Sequence, residues 1–353
     1  MKQRTVLFAT FEGLREVVAL SAVVRDLHVQ HPGLFLTDVY TPRRQLWAHN
    51  PLITTLPWEA VPDNGAQSPD TYAVPHSFNR IITSDSQLEV IVVESSHRTL
   101  RCSAAHASSK HLTEVMTEEV SSKLGSALSP TALHGHIVLH ESETSRPSRI
   151  EELGVSGPYW LVETGSDSRY SVNWWPMDAM QQVVNACRGL VTFVQVGLNV
   201  DYAPALEGVV SLVGCTDLRE ILKIMYHADG VVCGNTALVD IAAAVPVNPN
   251  SPYSTRRGNK RPCVVIAGGD STPLQYRYPH HEVLQTLGKL SCCQSTGCGK
   301  RVVRQLGEGG DEHPADEYCT NVVRGSSNIR YAACRTAITP QMVIDAIHAS
   351  VAS

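Results

Sequence analysis

The chain opens on the apolar run "TVLFAT", passes through the turn "FEGLRE", and continues in "EVVALSAVVRDLHVQH", closed by Pro32–Gly33. Apolar positions in that third stretch recur at helical spacing, and Pro–Gly stops a helix. "LFLTDVY" follows as a second strand-like run. Strand, helix, strand is the start of a parallel α/β sheet, because parallel neighbours need a crossover and a helix supplies it. "RIITSD" and "EVIVVES" read as further strands, and "SSKHLTEVMTEEVSSKLG" as a helix ending at Gly125.

The polar, turn-rich "ETSRPSRIEELGVSGP" marks a domain boundary near residue 150. A second alternation begins there. "YWLVET", "LVTFVQVG", "VVSLVG", "GVVCG" and "PCVVIAGG" read as strands; "MDAMQQVVNACRG", "DLREILKIMYHA" and "ALVDIAAAV" read as helices. The last element, "TPQMVIDAIHASVA", is an amphipathic helix capped by Thr339 with Pro340 in its first turn. The expectation is two Rossmann-like α/β domains, 1–150 and 151–353, facing a central ligand cleft. The second would carry a Cys-rich insertion at about 291–335.

Composition narrows the classes. At 353 residues, 43% hydrophobic and 18% charged, the chain is too apolar for disorder. A net charge of −5 argues against a broadly basic, nucleic-acid-binding surface. Three local basic groups remain: Arg43–Arg44, Arg256–Arg257 with Lys260–Arg261, and Lys300–Arg301 with Arg304. No window approaches a membrane span, and Thr5–Thr10 is too short for a signal-peptide core. A cytoplasmic protein is expected.

Candidate chemistry sits where strands give way to helices. Glu16 falls in the first turn of the first helix, where it either complements the helix dipole or acts as a general base. "VETGSDSRYSVNWWP" is a hydroxyl-rich loop with one arginine, either a phosphate cradle or a surface loop over two tryptophans. In "GVVCGNTALVDIAAAV", Gly234 allows a tight turn, Asn235 and Thr236 can cap the helix, and helix N-termini also bind phosphate. Asp240 faces either the cleft or water. Gly268–Gly269 marks a close backbone approach after a strand. The pair His280–His281 is given no metal.

"DLREILKIMYHADGVVCGNTALVDIAAAV" resembles the donor-site signature of family-9 glycosyltransferases, the heptosyltransferase group. "GLREVVALSAVVRDLHVQHPG" is similar to that family's opening pattern, and "VQVG", "LVGCTDLREIL", "PCVVIAGG" and "YPHH" resemble a Cys-rich branch of it. The resemblance is strongest from Tyr159 to Cys298. It implies a GT-B-type fold and transfer of a sugar from a nucleotide-diphosphate sugar to an acceptor hydroxyl, with inversion and without a catalytic metal. Glu16 falls on the family's catalytic aspartate, with Gly13 and Arg15 on the acceptor side. Donor contacts fall on Thr164, Ser166, Arg169, Asn173, Gly197, Asn235, Thr236, Asp240, Gly268 and Gly269. The departures are Glu for Asp at 16, Asn173 where the family often has a phosphate-binding Lys, Asn235 and Ala237 in the usual Asp–Thr–Gly turn, and Asp240 in place of His. The usual cation is therefore missing: either Arg169 substitutes for it, or the donor differs, or activity is weak.

Ten cysteines include the cluster Cys292, Cys293, Cys298, Cys319 and Cys334. In a reducing compartment, clustering favours a metal over disulfides. Cys293, Cys298, Cys319 and Cys334 are the expected ligands of a structural zinc or iron, with Cys292 a possible substitute. Some proteins of the resembling group carry Cys-bound iron. The intervening "GEGGDEHPADEY" reads as a loop with no core of its own. Three functions are carried forward: transfer to a carbohydrate or other hydroxyl-bearing acceptor, the same chemistry on a hydroxymethylated base in DNA, and a non-catalytic nucleotide- or sugar-binding protein.

Overall fold

The structure, a computed structural model, describes residues 3–11, 13–62, 71–73, 79–94, 110–145, 149–155, 157–165, 168–197, 204–251, 258, 260–294, 296–305, 313–325 and 328–352. The chain forms two compact units that meet in sequence between His140 and Glu141.

In the first unit, β1 (Arg4–Ala9) lies between β2 (Phe35–Tyr40) and β6 (Leu88–Val92), all parallel. Helix α1 (Leu14–Gln30) supplies the crossover from β1 to β2. It buries residues nearly all round, Val17, Leu20, Ser21, Val24 and Asp26 among them. The reason is a strap laid over it. A Cβ on Gly135 would stand 2.6 Å from Val18 Cγ1, and Ser21 Oγ accepts from the His136 amide at 2.8 Å. Buried Asp26 takes the amide and hydroxyl of Thr131. Helix α2 (Leu112–Leu124) packs on α1. His111 Nδ1 caps its start and Gly125, at φ +60°, ends it as expected. β3 (Trp58–Pro62), β4 (Thr71–Ala73) and β5 (Asn79–Thr83) form a separate antiparallel sheet; "RIITSD" contributes to this sheet.

The second unit holds a six-stranded parallel sheet in the order β12-β11-β10-β7-β8-β9. The strands are β7 (Tyr159–Glu163), β8 (Thr192–Val196), β9 (Val210–Ser211), β10 (Gly230–Gly234), β11 (Cys263–Gly268) and β12 (His281–Gln285). The chain winds outward from β7 to β9, returns to the middle at β10, and winds the other way. That is the doubly wound order, with its switch point between β7 and β10. Helices α3 (Met177–Ala186), α4 (Leu218–His227) and α5 (Ala237–Ala244) follow β7, β9 and β10, and α6 (Pro340–Ala352) ends the description. Val232, Val264 and Ile266 of the sheet share a core with Met180 and Val183 of α3 and with Val343 and Ile347 of α6. Thr339 Oγ1 accepts from the Met342 amide, so the expected cap is present.

The described residues between 291 and 335 carry more structure than the sequence suggested. β13 (Val322–Arg324) and β14 (Arg330–Ala332) form an antiparallel pair. Ala332, Cys334, Val303 and Val172 make a small core, with Leu290, Cys319 and Val322 packed on it.

Candidate functional site

The C-terminal edges of β7 and β10 flank the switch point, where open α/β sheets bind ligands. β7 ends on half-buried Glu163, followed by Thr164 and Gly165. β10 ends on Gly234, followed by Asn235 and Thr236. Thr236 is the N-cap of α5; its hydroxyl accepts from the Leu238 amide at 3.3 Å and donates to Glu163 Oε2. One hydroxyl thus bridges the switch point. The loop after β7 is shaped by Gly165, whose φ is +116°. A Cβ there would lie 2.5 Å from Trp174 Cδ1.

Behind this edge lies a residue the sequence reading passed over. Arg335 is fully buried. Its Nε donates to Val172 O at 3.1 Å, Nη1 to Ile266 O, and Nη2 to both Asn173 Oδ1 and Asp270 Oδ1 at 2.6 Å. Asn173 Nδ2 donates to Asn235 O at 3.1 Å. Asn235 Nδ2 donates to Ser271 Oγ at 3.0 Å, and Ser271 Oγ donates to Asp270 Oδ2 at 3.1 Å. The bonds close into a ring: Arg335, Asn173, Asn235, Ser271, Asp270 and back. A buried guanidinium needs this many acceptors, because an unpaired charge in a dry interior costs several kcal/mol. The signal in the sequence was faint: a lone Arg in "AACRTAITP", with no pattern to say that it turns inward.

The remaining expected donor residues fall in differing places. Thr164 is buried and accepts from Gln195 Nε2 at 3.2 Å. Gly197 follows β8, one strand away from the switch point, and its carbonyl takes the Gly214 amide at 2.8 Å. Ser166 lies outside the described residues, as does the side chain of Arg169, whose backbone belongs to the 3₁₀ turn Ser168–Asn173. Asp240 faces neither water nor an open edge: it is buried and accepts from Tyr278 OH at 2.9 Å. The close approach at Gly268–Gly269 is real, but protein fills it. A Cβ on Gly268 would meet Arg335 Nε at 2.7 Å, and one on Gly269 would meet Cys293 Sγ at 2.7 Å.

In the first unit, Glu16 is 3% exposed in the first turn of α1. Gly13 is the N-cap, and a Cβ on it would stand 2.7 Å from Glu16 Oε2. The carboxylate therefore folds back over the helix start rather than reaching outward from it. Arg15, beside it, is half-buried.

Several residues of the basic groups are engaged locally. Arg261 is buried and donates to the carbonyls of Ala228, Ala242, Val245 and Pro246. It caps the end of α5 and cannot face a duplex; burial pulls its guanidinium down to about 10. Arg44 pairs with Asp38, and Arg301 with Glu317 and Tyr170 OH. Arg256 and Arg257 lie outside the described residues. These placements give the DNA alternative no support.

The cysteines divide differently from the expected set. Cys293 is fully buried and turns its thiol toward the carbonyls of Thr286 and Leu290. Cys292 instead lies near Cys319, with Asn321 Nδ2 3.8 Å from its sulfur. Burial is the main cause that raises the thiols of Cys298, to about 12, and Cys334, to about 11, with Cys319 also raised. Each of these three feels the charge of a neighbouring cysteine. Among the described residues, however, no three His, Cys, Asp or Glu side chains stand close enough to hold a metal ion. The closed four-thiolate site is not formed among the described residues.

No family model matches the chain. No curated protein matches it either. Solved structures do. The glycosyl transferase family 9 protein from Veillonella parvula is similar with a TM-score of 0.61 at 13% identity, over 99% of this chain and 97% of its own. The E. coli ADP-heptose lps heptosyltransferase II gives 0.53 at 14% identity, over 99% and 98%. The iron-containing heptosyltransferase TibC of enterotoxigenic E. coli, in complex with ADP-D-beta-D-heptose, gives 0.58 at 14% identity, over 99% of this chain and 77% of its own. At such identities the likeness speaks for the fold: the chain has the α/β fold of the family-9, GT-B-type glycosyltransferases along nearly its whole length.

Proposed function

We propose that the protein is a glycosyltransferase that moves a sugar from a nucleotide-diphosphate sugar to an acceptor hydroxyl, with inversion. The observation that carries this reading is the polar edge at the switch point, where Glu163, Thr164, Asn235 and the Thr236-capped start of α5 meet. A helix start offers free backbone N–H groups to a phosphate, and neighbouring hydroxyls and carboxylates suit ribose and sugar hydroxyls. The acceptor oxygen attacks the anomeric carbon as the bond from that carbon to the diphosphate oxygen breaks. Glu16 takes the acceptor proton, and the nucleoside diphosphate leaves with the bonding electron pair. Thr164, Ser166, Arg169 and the α5 N–H groups would stabilise the leaving diphosphate. Arg335 stands behind Asn173, where the family often has Lys, but its charge is balanced by Asp270. The tail cysteines enter only as structure. A metal on Cys293, Cys298, Cys319 and Cys334, with Cys292 a possible substitute, would need these side chains to draw together, and elemental analysis of the purified chain for zinc or iron tests it.

A second reading, a sugar-nucleotide-binding protein without turnover, is favoured by one observation. Asn173 and Asn235 spend their side chains on Arg335, Asn235 O and Ser271. One experiment separates the two. The donor is first found by thermal shift against nucleotides and sugar nucleotides. Its turnover is then measured in wild type and Glu16→Gln. Transfer predicts a fall of about 10²- to 10⁴-fold in kcat with donor binding kept. A wild type that binds donor yet turns over with no acceptor would overturn it.

A further inference from the structure

The hairpin of β13 and β14 ends on two arginines that the proposed transfer leaves unassigned. Arg324 and Arg330 stand directly opposite each other in the antiparallel register. Main-chain bonds join Gly325 N to Ile329 O at 2.8 Å and Ala333 N to Asn321 O at 2.9 Å. Hydrogen-bonded and non-hydrogen-bonded pairs alternate along an antiparallel ladder. Counting inward from either bond, Arg324–Arg330 is a non-hydrogen-bonded pair, the kind in which facing side chains lie closest. Like charges placed so are destabilising, and a short two-stranded hairpin has little stability to spare.

The two forks are steered but not neutralised. Arg324, exposed, donates from Nε and Nη2 to Asn328 Oδ1 at 3.0 and 2.5 Å. Asn328 is held at φ +60° in the turn. Arg330, half-buried, donates from Nη1 to Arg304 O at 3.4 Å, and the Gln305 side chain bonds both the amide and the carbonyl of Arg330. Among the described residues, the acceptors of these two guanidinium groups are thus an amide oxygen and a main-chain carbonyl, not a carboxylate. A third cation is brought alongside: Arg304 is exposed and lies 4.5 Å over the Tyr318 ring. Residues two apart share a face of a strand, so both arginines leave the face that carries Val322 and Ala332. Those two pack with Val172 and Val303, which fixes the hairpin. Side chains that project from a face do not serve as charged guards of a sheet edge.

We propose that Arg324 and Arg330 form an anion site whose ligand is a phosphate monoester or inorganic phosphate. The charge selects the class. Two guanidinium groups at one ladder pair balance an anion of about −2, which such a phosphate approaches at neutral pH and a diester or carboxylate does not. Planar forks also suit phosphate oxygens in pairs, which makes arginine rather than lysine the fitting residue. The same group is offered by a soluble phosphate and by the headgroup of phosphatidic acid in a lipid surface. The site is separate from the donor edge and stands whether or not the transferase reading does.

The test uses the full chain. Melting temperature is read in sodium phosphate and in sodium chloride at matched, low ionic strength, for wild type, Arg324→Gln, Arg330→Gln and the double variant. The expected result is a phosphate-specific rise in wild type, with phosphate binding about tenfold weaker in each single variant. In chloride the single variants should melt no lower than wild type, because each removes a like-charge contact. Flotation with phosphatidylcholine vesicles, with and without phosphatidic acid, identifies the source. Capture that needs both phosphatidic acid and the two arginines makes it a lipid headgroup; a phosphate-specific rise without capture makes it a soluble phosphate. Equal rises in phosphate and chloride without capture, or a rise or capture undiminished in the double variant, overturn the proposal. So do single variants that melt lower than wild type in chloride, or a wild type that binds a DNA duplex with no phosphate-specific rise.

Discussion

At the scale of single residues, Arg335 governs the candidate donor edge. It gathers Val172 O, Ile266 O, Asn173 and Asp270 around one buried guanidinium. Two of these partners, Asn173 and Asp270, lead on through hydrogen bonds to Asn235 and Ser271. Lysine cannot replace it, since an ammonium has no planar fork to serve a carboxylate and an amide oxygen side by side. Arg335→Lys is expected to cost about 3 kcal/mol, the order seen when a buried pair is broken. The urea midpoint reads this directly. The same variant should lose its thermal shift with the donor, because the Asn235 turn loses its support. A variant with wild-type stability and an intact donor shift would show that the ring of hydrogen bonds is incidental.

At the scale of elements, the switch point depends on how closely β7 and β10 lie. Gly230 pairs with Trp160 in register, and a Cβ on Gly230 would stand 2.2 Å from the indole. Trp160 is 1% exposed and has no room to give way. Gly230→Ala therefore forces the two strands apart or the ring off its rotamer, for a cost of about 1–3 kcal/mol. Separation of β7 from β10 also stretches the Thr236–Glu163 bond, so donor binding should fall with Tm; a variant that melts lower but binds donor normally would confine the damage to the core. The strands and helices of the second unit were legible in the chain because each is a short apolar run or a helical stripe with clear stops. β12 was not: it starts at the second residue of the His280–His281 pair, and polar residues masked its pattern. β3 and β4 were missed too. The same limit applies to the site. Thr236 and Glu16 stand out by position, whereas Arg335 and Glu163 matter only through partners far away in sequence, which periodicity does not encode.

At the scale of the whole molecule, proton linkage spreads over both units. His28 and His136 in the first unit and His227 and His281 in the second all have lowered pKa values, each chiefly because burial disfavours the imidazolium. His281 is the extreme case. It is 9% exposed, neither ring nitrogen has a hydrogen-bond partner among the described residues, and its neighbours include Tyr278, His280 and the charge of Arg261. Below the ordinary histidine value of about 6.5, the unfolded chain binds protons that the folded chain refuses. Stability therefore falls as pH drops through that window, by up to about 1.4 kcal/mol per pH unit for each such group. The thiols act at the other end. Cys187, Cys233, Cys298, Cys319 and Cys334 are raised by burial, so the unfolded chain loses thiol protons first above about pH 8.5. There the folded chain holds more protons, and stability falls as pH rises. The expected profile is a dome with its top between these limits. His281→Phe keeps a buried ring of similar shape and removes its titration, so its melting temperature should fall less than wild type between pH 7 and pH 5. An equal fall in both would mean that His281 is already charged in the folded protein, and that the acid limb belongs to the other histidines.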